Sequence, residues 1–386
     1  MKNMEFRDLK TQYKKLKPEI DSAIAEVLNN TNFISGKQVS DLEKELAEYV
    51  GVKHCVTCAN GTDALQLALM AWDVGPGDAV FVPDFTFFST GEVVSAVGAT
   101  PIFVDVFEET FNMNPSSLEE AIETVLKEDG LTPKVVAAVD LFGQPADYDA
   151  IRPIAEKYDL KILEDAAQGF GGEIRGKKAC SFGDISTTSF FPAKPLGCYG
   201  DGGAIFTDND ETASLLKSYR VHGKGEDKYD NVRIGMNSRL DTVQAAVLSV
   251  KLKAFSDYEV RDVNTIAEFY TDKLSALESN GTLKCPKVKA GYLSSWAQYT
   301  ILCANMNVRD GLQTYLKEYG IPSMVYYKKP MHEQKAFDKK ESVKTKLDTT
   351  IDICNRVLSL PMSPYMTEVD ADRVVSKINE FFKGIN

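Results

Sequence analysis

The sequence lacks the long hydrophobic runs that membrane proteins carry. No stretch of about 18 consecutive apolar residues occurs among its 386 positions, so no segment has the length of a transmembrane helix. Its first residues, MKNMEFRDLKTQYKK, also lack the apolar centre of a signal peptide. We therefore expect a cytoplasmic protein without a membrane partner.

Histidine is scarce, and the cysteines form no framework. His54, His222 and His332 are the only histidines and lie far apart, so no metal site is expected. The seven cysteines are scattered and odd in number, which argues against a set of disulfides. Cys55 and Cys58 have the CxxC spacing of zinc and redox sites, but no second CxxC accompanies them. We interpret this pair as small buried residues.

The chain also lacks an excess of positive charge. It has 44 Lys and Arg against 56 Asp and Glu, a net charge of −12. Because nucleic acids are bound by basic surfaces, no nucleic-acid partner is expected. An anionic substrate would need a locally basic pocket.

Residues 160 to 207 carry the pattern around which the rest is organised. Asp165 follows the first of three short apolar runs that predict buried strands, and Lys194 follows the second; the runs are 160–163, 185–191 and 203–207. In open α/β sheets, ligands bind beyond the carboxyl ends of the strands. The spacing therefore predicts that Asp165 and Lys194 face one site.

This pair of residue types suits one cofactor. A lysine amine can form a Schiff base with an aldehyde, and pyridoxal phosphate (PLP) needs such a lysine together with an acidic partner for its ring nitrogen. Yet any strand can end in aspartate, and a lysine beside proline is commonly a solvated loop residue. The spacing alone leaves both interpretations open.

Four segments resemble one family, the DegT-type sugar-nucleotide aminotransferases, which are PLP enzymes with the aspartate-aminotransferase fold. They are CANGTDALQLAL, EDAAQ, SFFPAKPLGCYGDGGAIFT and GMNSRLDTVQAAVL. They occur in the family's order, and the likeness extends from about Phe6 to the segment between Pro361 and Tyr365. It is greatest to members that aminate a UDP-linked 3-keto N-acetylhexosaminuronic acid.

The resemblance implies a role for each of several residues in holding PLP and its pyridoxamine phosphate form. Lys194 would be the catalytic residue that carries the cofactor, and Asp165 the partner of its ring nitrogen. The remaining contacts would be Gln168 with the ring hydroxyl, Phe85 with the ring face, and Gly61, Thr62, Ser189 and Asn237 with the phosphate. Phe85 could equally be a core residue, and Gly61 and Thr62 could belong to an ordinary capped helix.

The resemblance also implies shared sites and a sugar pocket. Asn237 would reach the phosphate of the neighbouring subunit, so the protein would be a homodimer, and Arg239 would reach a substrate carboxylate or diphosphate there. A surface arginine is the alternative for Arg239. Tyr326, Tyr327 and His332 would contact the substrate. Members that act on the 3-keto uronic acid carry histidine at the position of Tyr326, which leaves the sugar open.

The order of apolar segments predicts an α/β fold. Strand-like and helix-like segments alternate, which implies a mainly parallel sheet flanked by helices, as in PLP transferases of fold type I. We expect a large PLP-binding domain with an N-terminal helical segment (1–254) and a smaller C-terminal α/β domain with a bridging helix (255–386). The smaller domain is expected to contain the strands WAQYTILCA and IPSMVYY.

These expectations lead to one principal function and several alternatives. The principal one is transfer of an amino group from glutamate, which leaves as 2-oxoglutarate, to C3 of a nucleotide-linked keto sugar. A 4-keto substrate and a non-catalytic PLP-binding regulator are the alternatives within the family. A nicotinamide-dependent oxidoreductase is disfavoured, because no GxGxxG opens a helix after the first strand.

Overall fold

The computed structural model describes residues 4–128, 130–227, 229–337 and 344–385. The helices are α1 (Leu9–Asn30), α2 (Lys37–Val50), α3 (Gly61–Ala71), α4 (Ser89–Ala96), α5 (Pro115–Lys127), α6 (Tyr148–Lys157), α7 (Asp210–Tyr219), α8 (Thr242–Ala254), α9 (Val260–Ser279), α10 (Met306–Glu318), α11 (Asp348–Arg356) and α12 (Glu368–Ile385). Within these four ranges, no helix is both long and apolar enough to span a membrane.

The strands are mostly short. They are β1 (His54–Cys58), β2 (Asp78–Pro83), β3 (Thr100–Val104), β4 (Thr132–Val139), β5 (Lys161–Asp165), β6 (Glu173–Ile174), β7 (Lys177–Lys178), β8 (Ile185–Ser189), β9 (Gly203–Thr207), β10 (Leu283–Lys284), β11 (Tyr292–Leu293), β12 (Tyr299–Cys303) and β13 (Val357–Leu360).

A seven-stranded sheet forms the centre of the molecule, with the strand order β1-β9-β8-β5-β4-β2-β3. Strands β8, β5, β4, β2 and β3 are parallel to one another, whereas β9 is antiparallel to both of its neighbours. Six of the seven strands therefore point in one direction. The mainly parallel α/β sheet expected from the sequence is confirmed.

Helices cover both faces of this sheet. Along β2, Phe81 packs into an apolar cluster with side chains from α2, α5, α6 and α8, and its neighbour Val80 packs into a second cluster with side chains from α3, α4 and α7. Successive side chains of a strand point to opposite faces, so a strand covered on both faces is largely apolar unless its buried polar groups are hydrogen-bonded. Strands β2 and β4 are largely apolar, whereas β8 has buried hydroxyl groups, and those of Thr187 and Thr188 are hydrogen-bonded.

The C-terminal part of the chain has a core of its own. Side chains of α9, α10 and α12 pack against β12 and β13 around the buried rings of Tyr270 and Tyr299. Strands β10, β12 and β13 form an antiparallel sheet. A π-helical turn at Phe255–Glu259 joins α8 to α9, and we propose the domain boundary at this turn.

The segment IPSMVYY does not form the predicted strand. Within it, Met324 makes an isolated bridge to Ser359, and the other residues have no strand pairing. Val325, Tyr326 and Tyr327 are consecutive, yet all three pack against the same apolar cluster. The alternating side chains of a strand would not allow this. The apolar side chains that suggested a strand pack against this cluster instead.

Candidate active site

Polar side chains gather where the parallel strands of the central sheet end. Asp84 follows β2, Asp165 ends β5 and Ser189 ends β8. Lys194 lies in the turn between β8 and β9. The carboxyl ends of parallel strands share one edge of the sheet, and this is where α/β proteins bind ligands. The fold therefore brings three of the predicted site residues to one edge.

Asp165 is a buried carboxylate with two hydrogen bonds. Its Oδ2 accepts from the Thr90 hydroxyl at 2.9 Å, and its Oδ1 accepts from the amide of Ala167 at 3.2 Å. Burial raises the pKa of Asp165, while both hydrogen bonds and the positive charge of Lys194 oppose this rise. A carboxylate in this position can keep a nearby ring nitrogen protonated, because opposite charges stabilise each other.

Lys194 presents an amine that has no hydrogen-bond partner in the described part of the chain. Its Nζ makes no hydrogen bond or ion pair to any described residue, and its backbone amide donates to the carbonyl of Phe191 at 2.9 Å. Burial lowers the pKa of the amine, Asp165 opposes that effect, and the charge of Arg7 adds to it. A lowered pKa favours the neutral amine, which is the form that attacks a carbonyl or accepts a proton.

The start of α3 lies against the end of β8. Asn60 caps this helix, since its side-chain oxygen accepts from the amide of Asp63 at 2.8 Å. The amides of Gly61 and Thr62 have no acceptor among the described residues, so they are available to an anion. A Cβ on Gly61 would lie 2.7 Å from the Cβ of Ser189. The predicted phosphate residues of α3 and β8 are therefore neighbours.

The hydroxyl groups of Ser89 and Thr90, which were not predicted from the sequence, contact two of the predicted site residues. The hydroxyl oxygens of Thr62 and Ser89 lie 2.8 Å apart, and Thr90, the next residue, donates to Asp165. Both hydroxyls belong to the first turn of α4. A serine–threonine pair at a helix start, just beyond a buried strand, is the signal that could have identified them.

Gln168 is held in one orientation. Its Oε1 accepts from the amide of Phe142 at 2.9 Å, and its Nε2 donates to the hydroxyl of Tyr327 at 3.0 Å. The amide group has two N–H donors, so one remains for a ligand oxygen. Burial raises the pKa of Tyr327, which favours its neutral phenol. The structure thus brings together two residues that were predicted to contact different ligands.

The structure places Phe85 in the core. Its side chain is 1% exposed, and its ring lies about 6 Å from those of Phe111, Phe142 and Tyr327. Phe87, two residues later, is 54% exposed. These observations favour the alternative interpretation of Phe85 as a core residue. Phe87 is the aromatic residue of this turn that has a ring surface available to a ligand.

His332 is anchored rather than free. Its Nδ1 lies 2.6 Å from Oδ2 of Asp84, and its backbone amide donates to Oδ1 at 2.8 Å. The hydrogen bond that the His332 ring donates to Asp84 raises the pKa of His332. Tyr326 is half-buried between the rings of Phe6 and Tyr327. His332 is therefore restricted in how it could approach a substrate, and Tyr326 keeps a partly exposed surface.

Asn237 and Arg239 lie beside the start of α3. Between them, the Ser238 hydroxyl accepts from the amide of Ala59 at 3.1 Å. Asn237 is exposed and Arg239 is half-buried, and neither side chain bonds a described residue. No described hydrogen bond joins either to Lys194. Both side chains remain available to a ligand or to another subunit.

Comparison with known protein families finds a match over residues 14–379 to the DegT/DnrJ/EryC1/StrS aminotransferase family. The chain belongs to this family. The resemblance noted from the four segments is confirmed, and so is the expectation of an aminotransferase.

Individual members of the DegT/DnrJ/EryC1/StrS family resemble the chain over nearly its full length. A Pseudomonas aeruginosa protein named UDP-2-acetamido-2-deoxy-3-oxo-D-glucuronate aminotransferase is 43% identical, covering 94% of this chain and 96% of its own. An Acidithiobacillus ferrooxidans protein named UDP-N-acetyl-3-dehydro-alpha-D-glucosamine 3-aminotransferase is 40% identical, covering 98% and 97%. A crystal structure of a family member from Brucella abortus superposes with a TM-score of 0.94 at 48% identity, covering 98% and 99%.

Membership of this family makes the chain a PLP-dependent aminotransferase, and the residues present suit that cofactor. Asp165 is a buried carboxylate, and neither the Lys194 amine nor the amides of Gly61 and Thr62 have a hydrogen-bond partner among the described residues. The predicted cofactor is confirmed. The contact made by each residue stays a prediction.

Proposed function

We propose that this aminotransferase moves the amino group of glutamate to the C3 carbonyl of a UDP-linked 2-acetamido-3-keto hexuronic acid. Two relatives at 43% and 40% identity are named for amination of UDP-linked 3-oxo sugars, which supports reaction at C3. The observation that carries amino-group transfer is that the Lys194 amine, which has no hydrogen-bond partner among the described residues, shares an edge of the sheet with the buried Asp165.

Lys194 would move protons between carbon atoms. Bound PLP supplies an electron sink for the negative charge left on carbon, and it carries the amino group from donor to acceptor. In the first half-reaction Nζ of Lys194 would take the proton from the amino-bearing carbon of glutamate and pass it to a carbon of the bound cofactor. In the second half-reaction it would take a proton back from that carbon and deliver it to C3 of the sugar. The lowered pKa of this amine favours the neutral form that the first transfer requires.

The other residues at the edge would hold the cofactor in place. The carboxylate of Asp165 would keep the ring nitrogen protonated, and the second N–H of Gln168 Nε2 would donate to the ring hydroxyl oxygen. The amides of Gly61 and Thr62, with the hydroxyl of Ser189, would bind the phosphate. The exposed ring of Phe87 would take the stacking role first assigned to Phe85.

Arg239 would recognise the carboxylate that distinguishes a uronic acid. A guanidinium offers paired N–H donors that match a carboxylate, and this one has no partner among the described residues. Tyr326, Tyr327 and His332 would line the sugar pocket. His332 would be held by Asp84 through its amide and Nδ1, which leaves Nε2 of its ring for a ligand.

A homodimer with two shared sites completes the proposal. Asn237 and Arg239 would reach the active site of the partner subunit. The segment just before them exposes apolar side chains, with Val232 and Ile234 54% and 90% exposed, as a surface buried by a partner would require. Mixing the inactive Lys194→Ala protein with Arg239→Met protein would then form hybrid dimers whose one working site contains Arg239 of the Lys194→Ala subunit, so the preference for the carboxylated sugar that Arg239→Met loses should return.

The cofactor half of the proposal is tested by visible absorbance. The purified protein should show a visible PLP band, and glutamate should bleach it. The Lys194→Ala variant should lack the bleaching reaction and turn over no substrate. A band that does not bleach would instead support the non-catalytic regulator, and full activity of Lys194→Ala would overturn the proposal.

The sugar is tested by comparing substrates. We expect kcat/KM to be highest for the UDP-linked 3-keto 2-acetamido uronic acid, lower for the same sugar without its carboxylate, and lowest for 4-keto sugars. Arg239→Met should reduce only the preference for the carboxylate. Because this chain has Tyr326 where uronate-specific members have histidine, the uncharged 3-keto sugar is the second candidate. Equal rates with and without the carboxylate would favour it.

A further inference from the structure

Two cations hold the backbone that follows Lys194. The guanidinium of Arg7 donates to the carbonyl of Pro195 at 2.9 Å, and the amine of Lys251 donates to the carbonyl of Gly197. Lys251 is almost fully buried. Hydrogen bonds from charged donors are stronger than those between neutral groups. The residue next to Lys194 is therefore fixed by a cation from a distant part of the sequence.

The segment that carries Arg7 is fixed on both sides. The carbonyl of Phe6 accepts from the amide of Met362 at 3.1 Å. Asp8 caps α1, since its Oδ1 accepts from the amide of Thr11 at 2.9 Å. Arg7 lies between these two hydrogen-bonded residues, so a fixed backbone places its guanidinium beside the turn that contains Lys194.

Charged groups of both signs act on the amine of Lys194. Asp165 and Arg7 are the charged groups that act on its amine, and they act in opposite senses. The groups that act on Arg7 are Glu259 and Tyr365. Glu259 is buried and accepts from Gln12 at 2.8 Å and from the Tyr365 hydroxyl. Glu259 thus faces two cations, Arg7 and Lys251, so its charge is shared between them.

We propose that Arg7 is a positioning residue for Lys194, which fixes the adjacent peptide and places a permanent positive charge beside the amine. This inference rests on the proposed catalytic role of Lys194. An arginine keeps its charge throughout the working pH range. A like charge disfavours the protonated form of an amine. Arg7 therefore increases the fraction of Lys194 that is neutral and able to react with PLP near neutral pH.

The test measures how fast the apoprotein takes up PLP. The rate at which the visible band forms after mixing should rise with pH, with a midpoint set by the ionisation of Lys194. Arg7→Gln removes the charge but keeps a donor for Pro195, so we expect the midpoint to move up by about one unit. Arg7→Lys keeps the charge and should retain a midpoint near that of the wild type.

Lys10 provides a matched control in the same segment. Its amine pairs with Glu5 at 2.6 Å, and its side chain is 78% exposed. Lys10→Gln makes the same change in net charge and should leave the midpoint unchanged. The inference is overturned if Arg7→Gln has the wild-type midpoint, or if Lys10→Gln shifts it equally. If the wild-type apoprotein forms no band at any pH, the proposed function fails instead.

A variant of Glu259 gives an independent test if Arg7→Gln does not fold. Glu259→Gln removes the carboxylate that faces Arg7 while keeping the side-chain shape. The positive charge beside Lys194 is then less compensated, so the midpoint should move to lower pH. A midpoint that stays the same or rises would contradict the proposal.

Discussion

Asp84 and His332 are joined by two hydrogen bonds across 248 positions of sequence. The carbonyl of Asp84 also accepts from the amide of Met331 at 3.0 Å. Asp84 directly follows β2, at the edge where Asp165 and Lys194 lie. The segment that includes Tyr327, a partner of Gln168, is thus attached to the end of a central strand. Its position depends on a buried carboxylate.

Replacing His332 with glutamine should lower stability in a pH-dependent way. The carboxylate of Asp84 raises the pKa of His332, with Glu333 adding to this rise and Lys329 opposing it. A raised pKa in the folded state stabilises the fold fully below the unfolded pKa of about 6.5, and this contribution is lost as pH rises through the folded pKa. His332→Gln should therefore cost about 1.5–3 kcal/mol at pH 6 and less at pH 9.

Urea unfolding of both proteins between pH 6 and pH 9 would measure this difference. His222→Gln is the control, because His222 is exposed and its ring bonds no described residue. At pH 6 that variant should lose less stability than His332→Gln. A stability loss in His332→Gln that does not change with pH would show that the imidazole charge plays no part.

Gln168→Glu should weaken PLP binding without unfolding the site. A glutamate still accepts from the amide of Phe142 but cannot donate. Its negative charge would face the ring hydroxyl oxygen, and we expect the Kd for PLP to rise about tenfold or more. Absorbance titration of the apoprotein measures this Kd. Gln313→Glu on α10 makes the same change in charge away from the edge, and an equal loss of affinity there would refute the assignment.

Phe85 and Phe87 should respond in opposite ways to truncation. Phe85→Ala removes a buried ring and should lower the free energy of unfolding by about 3–5 kcal/mol. Phe87→Ala removes an exposed ring, so stability should change by less than about 0.5 kcal/mol, while the affinity for PLP falls. Urea unfolding and PLP titration on both variants separate the two effects. Normal PLP affinity in Phe87→Ala would indicate that Phe85, not Phe87, contacts the cofactor ring.

Part of the candidate site could be predicted from local patterns in the sequence. Apolar runs ended by polar residues identified Asp165 and Lys194, and their shared edge follows from the direction of parallel strands. The start of α3 was visible because Gly61 and Thr62 open an apolar helical pattern. Each of these inferences needs only a few neighbouring residues.

Contacts between distant segments could not be read in this way. The choice between Phe85 and Phe87 depends on packing against Phe111 and Phe142, which lie in other turns. The hydrogen bond from Arg7 to Pro195 spans 188 positions, and no local sequence pattern around either residue predicts it. Side chains with the same local pattern differ here because tertiary packing decides which one is buried.

Thr90→Val should shift the acid limb of the pH profile. The Thr90 hydroxyl donates to Oδ2 of Asp165 and so favours the ionised carboxylate. Removing it raises the pKa of Asp165 further, and we expect the acid limb of kcat/KM to move up by about one unit. Only the ionised carboxylate can keep the ring nitrogen protonated, so activity is lost as pH falls through the raised pKa of Asp165.

Thr86→Val is the matched control, because the Thr86 hydroxyl contacts Thr90 at 3.3 Å and does not bond Asp165. The pH profile of this variant should match that of the wild type. A Thr90→Val profile that superposes on the wild type would show that this hydrogen bond does not tune the carboxylate.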